Sequence, residues 1–314
     1  MRDLSKNRAS LRTIGEEGEN QRVDNYLAKI LKGVPKSHIY RILRSGEVRV
    51  NSRRVDQTCR LQTGDKLRIP PIRVAHTAIK STALPPKREL QVIYEDDSLL
   101  VINKPAGLAV HGGSGVSFGV IEQLRACEPK PRFLELAHRL DRETSGVLIL
   151  AKKRSVLTSL HRMLREGEVE KRYLTLVRGR WINAKQSVKL PLNKYVTAAG
   201  ERRVSVQKNG QTAHTLFSLR QNFRNYSLLE AELKTGRTHQ IRVHLTHLGF
   251  PIAGDDKYGD FTLNRELAKQ GLKRMFLHAC KVALIHPKSG EMLKFEAPLP
   301  EDLQCFVRRL EERD

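Results

Sequence analysis

Apolar residues recur at helical spacing early in the chain, at Val23, Leu27, Ile30 and Leu31 and again at Ile39, Ile42 and Leu43. The second run opens at Pro35-Lys36-Ser37, with Ser37 placed as its N-cap, and Gly46 stands past its end. Alternation follows. Val48-Arg49-Val50 predicts a strand, Asn51-Ser52 a turn, and Lys66-Leu67-Arg68-Ile69 another strand after the turn Thr63-Gly64-Asp65. Two helices and a few short strands predict a small module over residues 19–72, ordered from about Gln21. Residues 1–18 lack periodicity and read as a flexible polar tail. Residues 73–88, between Pro70-Pro71 and Pro85-Pro86 and without periodicity, read as a linker.

A larger domain is expected over residues 89–314. Leu99-Leu100-Val101-Ile102 and Gly146-Val147-Leu148-Ile149-Leu150 read as strands, the second buried on both faces. Tyr173-Leu174-Thr175-Leu176-Val177 and Leu228 to Leu233 read as further strands. Val156, Leu157, Leu160, Met163 and Leu164 mark one face of a helix, and His239 to Leu248 predicts another. Many strands with occasional helices, and no regular strand–helix alternation, argue for an α+β fold.

Charge narrows the class of partner. The 314 residues carry 57 Lys and Arg against 34 Asp and Glu, a net +23, which points to a polyanion, with nucleic acid as the default. The density is higher in the first 80 residues, with 18 basic and 8 acidic side chains. The longest clean apolar run, Val147-Leu148-Ile149-Leu150-Ala151, is far short of the roughly 20 residues a membrane span needs. The N-terminus shows no apolar core of a secretory signal. Cys59, Cys127, Cys280 and Cys305 are scattered without a CxxC pair, as expected for free thiols in a reducing cytoplasm.

Three segments concentrate chemistry. Ala137-His138-Arg139-Leu140-Asp141-Arg142-Glu143-Thr144-Ser145-Gly146 places two Arg and two carboxylates in a loop directly before the buried strand. Thr235-Gly236-Arg237-Thr238-His239-Gln240-Ile241-Arg242 lies at a strand-to-helix junction, where backbone amides favour anions, so that Arg237 and His239 are candidate RNA contacts. Glu170-Lys171-Arg172-Tyr173 sets an aromatic at a strand start. Taken singly, each is as compatible with a structural ion pair, a helix cap or a half-buried strand tyrosine. Other chemistries fit less well. Gly115-Val116-Ser117-Phe118-Gly119 matches the hydrolase elbow, yet His111-Gly112-Gly113 shares its loop instead of lying on an earlier connection. His239, His244 and His247 share a helix at a spacing that does not gather them on a metal, so no metal site is expected. Gly112-Gly113-Ser114-Gly115 lacks the Gly-Lys-Ser/Thr of a phosphate loop.

Residues 20–70 resemble the S4 RNA-binding domain, through Arg22-Val23-Asp24, Ser37 to Gly46, Val48-Arg49-Val50-Asn51 and Gly64-Asp65. On that reading Lys36, Arg41, Arg44, Arg49, Arg53 and Arg54 contact phosphates and position an RNA without reading its sequence. Residues 90–300 resemble the RluA-type pseudouridine synthases. The likeness rests on His138-Arg139-Leu140-Asp141 with Thr144-Ser145-Gly146, Lys171-Arg172-Tyr173, Gly236 to Arg242, Asn103-Lys104-Pro105 with Gly107, and Gly254-Asp255 with Tyr258-Gly259. The resemblance implies a mixed, largely antiparallel sheet and a reaction that breaks the uridine N1–C1′ bond, turns the base and rejoins it through C5. That reaction is redox-neutral and calls for no cofactor. It implies Asp141, Tyr173 and Arg242 as catalytic residues, with Arg139 filling the space vacated in the RNA stack by the flipped nucleotide. Val110 to Gly115 and Ser117-Phe118-Gly119 are most similar to members acting on large-subunit ribosomal RNA. Transfer RNA as substrate, a base-excising enzyme using a similar Asp, and a non-catalytic ribosomal RNA assembly factor are the alternatives. A cytoplasmic monomer is expected.

Overall fold

A computed structural model describes residues 9–31, 33–72, 89–112, 118–127 and 133–312. The segment expected to be a linker, 73–88, and Gly113 to Ser117 of the glycine-rich loop lie outside the described residues. Contacts divide the chain into a small N-terminal unit ending at Leu84 and a larger unit holding nearly all the rest.

In the small unit, helices Val23–Ile30 and Lys36–Arg44 cover a four-stranded antiparallel sheet. The strands run Ser10–Thr13, Lys66–Ile69, Arg49–Val50 and Arg53–Arg54 across the sheet. Their apolar side chains meet the helical stripe of Val23, Leu27, Ile39, Ile42 and Leu43 in one core. Asn51 and Ser52 both take left-handed backbone angles, φ 47° and 66°, as a two-residue hairpin turn with right-handed strand twist requires. Lys36, Arg41, Arg44, Arg49, Arg53 and Arg54 are all exposed.

Two expectations for this unit need correcting. Residues 1–18 are not all loose tail: Ser10–Thr13 pairs antiparallel with Lys66–Ile69, and Ile14 behind it is 1% exposed. An edge strand held by its backbone, with three of its four side chains exposed, carries no apolar alternation to betray it. Ser37 is also not the N-cap. The helix starts at Lys36 behind Pro35, and no side chain caps it. Proline's fixed φ is already helical, so Pro35 leads the chain straight into the first turn.

The larger unit is built on a ten-stranded sheet. Its main path runs Lys185–Lys189, His214–Asn222, Tyr226–Leu233, Glu170–Arg178, Leu277–Ile285, Ser145–Ala151, Leu99–Lys104 and Gln91–Glu95. Met292–Glu296 and Glu135–Leu136 pair off this path, and Leu192–Val196 with Arg202–Val206 forms a separate two-stranded ribbon. Among the described residues every pairing of strands is antiparallel except Leu277–Ile285 with Ser145–Ala151. The expected α+β class, with a mixed and largely antiparallel sheet, is what the chain adopts.

All seven residues of Ser145–Ala151 are buried. They serve both faces of the sheet by simple alternation: Leu148 and Leu150 join one core, while Val147, Ile149 and Ala151 join the other. Helix Arg154–Glu166 covers the second core with Val156, Leu157, Leu160 and Met163. Helix Gln240–His247 adds Ile241 and Leu245 to the first. No helix among the described residues is long and apolar enough to cross a membrane.

The parallel pairing fixes the loop that precedes it. His278 and Ala279 stand opposite Ser145 and Gly146. Gly146 has φ +111°, and a Cβ there would lie 2.1 Å from the Ala279 carbonyl oxygen. Only glycine lets the two backbones approach so closely while the chain turns out of the loop. Gly146→Ala is therefore expected to destabilise the protein by about 3 kcal/mol or more, lowering Tm by roughly 6–12 °C in a thermal scan. A Tm unchanged by the substitution would contradict this account of the strand junction.

Candidate active site

Loop His138–Thr144, the start of strand Glu170–Arg178 and loop Thr235–His239 open onto one cleft of about 640 Å³. It is lined by Asp141, Tyr173 and Arg242, and also by Arg139, Arg237 and His239. The residues placed in one site from the sequence are thus brought together by four separate elements, Arg242 coming from helix Gln240–His247. Arg139 and Arg237 are exposed at this cleft, Arg237 anchored by Nε donating to the Thr212 carbonyl at 3.0 Å.

Arg242 organises the centre. Its Nε and Nη2 each donate to a carboxylate oxygen of Asp255 at 2.7 Å, a two-pronged pairing, while Nη1 donates to Asp141 Oδ2 at 3.1 Å. Asp255 is fully buried, and its Oδ1 also accepts the amides of Lys257 and Tyr258 at 2.9 and 3.0 Å. Burial alone would raise the Asp255 pKa, but the guanidinium and the two amides hold it below the usual carboxylate range. Burial likewise works to lower Arg242, and the two carboxylates overcome it and raise the guanidinium further. The result leaves Asp141 with a cation against one oxygen and its other oxygen uncommitted.

That second oxygen faces His239. The imidazole Nε2 lies 3.8 Å from Asp141 Oδ1, and its Nδ1 is 2.7 Å from the Tyr258 hydroxyl. Tyr258 is pushed up to about 12, chiefly by burial, so the phenol keeps its proton. Its oxygen already accepts the Val204 amide at 3.0 Å, so the proton is directed to Nδ1 of a neutral His239. The N–H of that tautomer is then on Nε2, towards Asp141. Burial, with the charges of Arg242 and Lys257, lowers the His239 pKa against the pull of Asp141 and Asp255. His239 itself sits at φ 54° just before the helix, a costly angle for a residue with a Cβ.

Tyr173 is 7% exposed, and its phenol is raised well above the ordinary range, first by burial and then by the charge of Asp141. It therefore presents an aromatic ring at the cleft with its hydroxyl still protonated.

Buried polar groups hold the two loops. Lys104, at 0% exposed, donates to the carbonyls of Pro105 and Leu108 at 2.8 Å and of Arg142 at 3.1 Å. Burial pushes it down to about 7, against the nearby charges of Glu143 and Asp141. Ser145 Oγ accepts from Arg274 at 2.7 Å and lies 2.9 Å from Nδ1 of His278, whose Nε2 reaches the Ala297 carbonyl. In the other loop, Gln240 Oε1 accepts from Thr235 Oγ1 and the Arg237 amide, while Nε2 donates to the His214 carbonyl and Thr215 Oγ1. His244 is spent within the fold, between Thr215 Oγ1 and the Leu190 carbonyl.

Nothing in the sequence points to a role for Lys104, Asp255, Tyr258 or Gln240. The pairs Asn103-Lys104 and Gly254-Asp255 stood out only as parts of motifs.

The chain's relatives agree with this layout. A family model described as RNA pseudouridylate synthase matches residues 98–247, and one for the S4 domain matches residues 21–67. Ribosomal large subunit pseudouridine synthase C of Haemophilus influenzae is 50% identical over 304 residues, which is 96% of this chain and 94% of that protein. The protein of the same name from Escherichia coli is 51% identical over 297 residues, 92% and 93% of the two chains. Among solved structures, human RNA pseudouridylate synthase domain containing 4 superposes with a TM-score of 0.57 at 26% identity, covering 70% of this chain and 93% of that one. With half of all positions shared over nearly the full length of both proteins, the chain belongs to the RNA pseudouridylate synthase family and carries an S4 domain ahead of its catalytic unit.

Proposed function

We propose that this enzyme converts specific uridines of large-subunit ribosomal RNA to pseudouridine, acting as a cytoplasmic monomer, with Asp141, Arg242 and Tyr173 as its catalytic residues. The observation that carries the site assignment is Arg242, clamped by the buried Asp255 and touching Asp141 through a single nitrogen. A carboxylate gripped on both oxygens would be a poor reactant. One gripped on Oδ2 alone keeps Oδ1 free to act.

The substrate nucleotide must leave the RNA stack to enter the cleft. Tyr173 offers a ring face for the flipped uracil. Asp141 drives cleavage of N1–C1′, the base turns within the cleft, and C5 bonds to C1′. The proton displaced from C5 is matched by one gained at N1, so the product is an isomer of the substrate. Because the Tyr173 phenol enters protonated, it can take part in moving the C5 proton only by passing its own proton on, with Asp141 in the same cleft as the acceptor. Arg139, exposed beside the cleft, is placed to occupy the gap in the RNA stack. Lys36, Arg41, Arg44, Arg49, Arg53 and Arg54 of the S4 unit supply phosphate contacts.

The central test is a pseudouridine-specific chemical-modification and primer-extension map of large-subunit ribosomal RNA from cells with and without the chain. Stops that vanish on deletion, return with the wild type and stay absent with Asp141→Ala are expected. An unchanged map would remove this RNA as the substrate and turn the search to transfer RNA. Arg242→Lys keeps the charge but loses the fork that spans two carboxylates. It is expected to lower kcat by about 100-fold, the scale for misplacing a catalytic group by an ångström, with KM within about threefold. An undiminished kcat would exclude Arg242 as the organiser of Asp141. Binding to the RNA should weaken at least 100-fold between roughly 50 and 200 mM salt, as phosphate-dominated contacts require. A flat titration would speak against the basic surfaces as the source of affinity.

A further inference from the structure

A second cation lies deep in the same cleft and has no counter-charge. Lys171 is 5% exposed and lines the cleft. It lies on the same face of strand Glu170–Arg178 as Tyr173, in the alternation that buries Lys171, Tyr173 and Thr175. Among the described residues it makes no hydrogen bond or ion pair. The acids nearest in sequence or across the strands are already engaged. Glu170 accepts from Arg172 at 2.5 Å, Glu230 from Arg172 and Arg220 at 2.7 and 2.5 Å, and Glu232 from Lys234. His138, close by, is neutral: its Nε2 accepts the Ile149 amide at 3.1 Å, and burial and Lys171 together push it down to about 4. Burial and then the charge of Lys234 lower Lys171 itself, with no carboxylate opposing them.

The cleft lining has the same imbalance. It holds Arg139, Arg165, Lys171, Lys234, Arg237 and Arg242 against a single carboxylate, Asp141, which Arg242 already answers. A lysine set this far back in a cleft, with little water and no carboxylate to answer its charge, is costly to maintain, and a cleft that keeps one is shaped for an anion that arrives with the ligand.

We propose that Lys171 forms the floor of a phosphodiester subsite that takes one of the two phosphates flanking the flipped uridine. The proposal rests on the reading that an RNA uridine enters this cleft. Residues two apart on one face of a strand are separated by roughly 6.6–7 Å, comparable to the reach from a nucleobase to its own phosphate. A uracil stacked on Tyr173 therefore carries a flanking phosphate towards Lys171. On this view the two ends of Lys171-Arg172-Tyr173 read two parts of one nucleotide, while Arg172 faces away into its carboxylates.

The test uses the full chain and an oligonucleotide of large-subunit ribosomal RNA spanning a uridine that the wild type converts. The phosphate on either side of that uridine is replaced in turn by an uncharged methylphosphonate. Loss of a hydrogen bond to a charged group predicts a roughly 10- to 100-fold fall in kcat/KM for one of the two replacements, carried by KM. Lys171→Met should show the same loss on the unmodified RNA and no further loss on that methylphosphonate. The variant's binding should lose about 0.7 from the slope of log affinity against log salt. Lys171→Arg, which retains the cation, should keep most of the affinity. If Lys171→Met fails to fold, the response of wild type and Lys171→Arg to the methylphosphonates decides the matter. Indifference of the wild type to both replacements would overturn the subsite, as would losses from the variant and the methylphosphonate that simply multiply. Failure of the wild type to convert any uridine of this RNA would instead sink the substrate assignment, while the salt slope of Lys171→Met would still judge the subsite.

Discussion

The catalytic unit is organised around one guanidinium that two carboxylates share. Arg242 stands almost fully buried, and Asp255 beneath it is fully so. Removing either partner of such a pair leaves an uncompensated buried charge, at a cost of about 3–5 kcal/mol. Asp255 spends both oxygens on Arg242 and its remaining capacity on two backbone amides. The guanidinium plane is thereby fixed before any substrate arrives, and the contact with Asp141 follows from that orientation. Tyr258 completes the clamp, with its ring 5.0 Å from the guanidinium carbon and its hydroxyl setting the tautomer of His239.

The sheet brings the second half of the site to meet this clamp. Asp141 belongs to a loop with no regular structure, yet its exit is fixed by the close approach of Gly146 to Ala279 and its middle by the Lys104 ammonium. A neutral amine has only two protons, whereas three carbonyls surround Lys104, so the geometry asks for the ammonium form. Gln240 does the same for the loop before the helix with an uncharged amide. Asp141 and its guanidinium partner are therefore each held from behind by hydrogen bonds to the loops that carry them.

Local order was legible in the sequence where a side-chain pattern reports burial. Ser145–Ala151 is apolar on both faces and reads directly as a central strand. The stripes on the helices Val23–Ile30, Lys36–Arg44 and Arg154–Glu166 match the residues that enter the cores. The first strand escaped because its pairing is a backbone matter. Asp141, Tyr173 and Arg242 were grouped by resemblance, since nothing local joins residues 141 and 242. The tasks of Asp255, Lys104 and Lys171 were invisible for a related reason. Each depends on what lies across the fold, and in the case of Lys171 on what does not.

The overlooked strand bears on where the S4 unit begins as a physical object. The matched S4 segment starts at residue 21, yet Ser10–Thr13 closes the sheet against Lys66–Ile69, and Ile14 belongs to the core. A fragment cut at residue 21 would present the bare hydrogen-bonding edge of Lys66–Ile69 and a hole where Ile14 had packed. Open edges of this kind recruit strands from other molecules. The minimal autonomous unit thus extends about a dozen residues beyond the recognisable motif, and self-association of a shorter piece would report its missing strand and not a property of the intact enzyme.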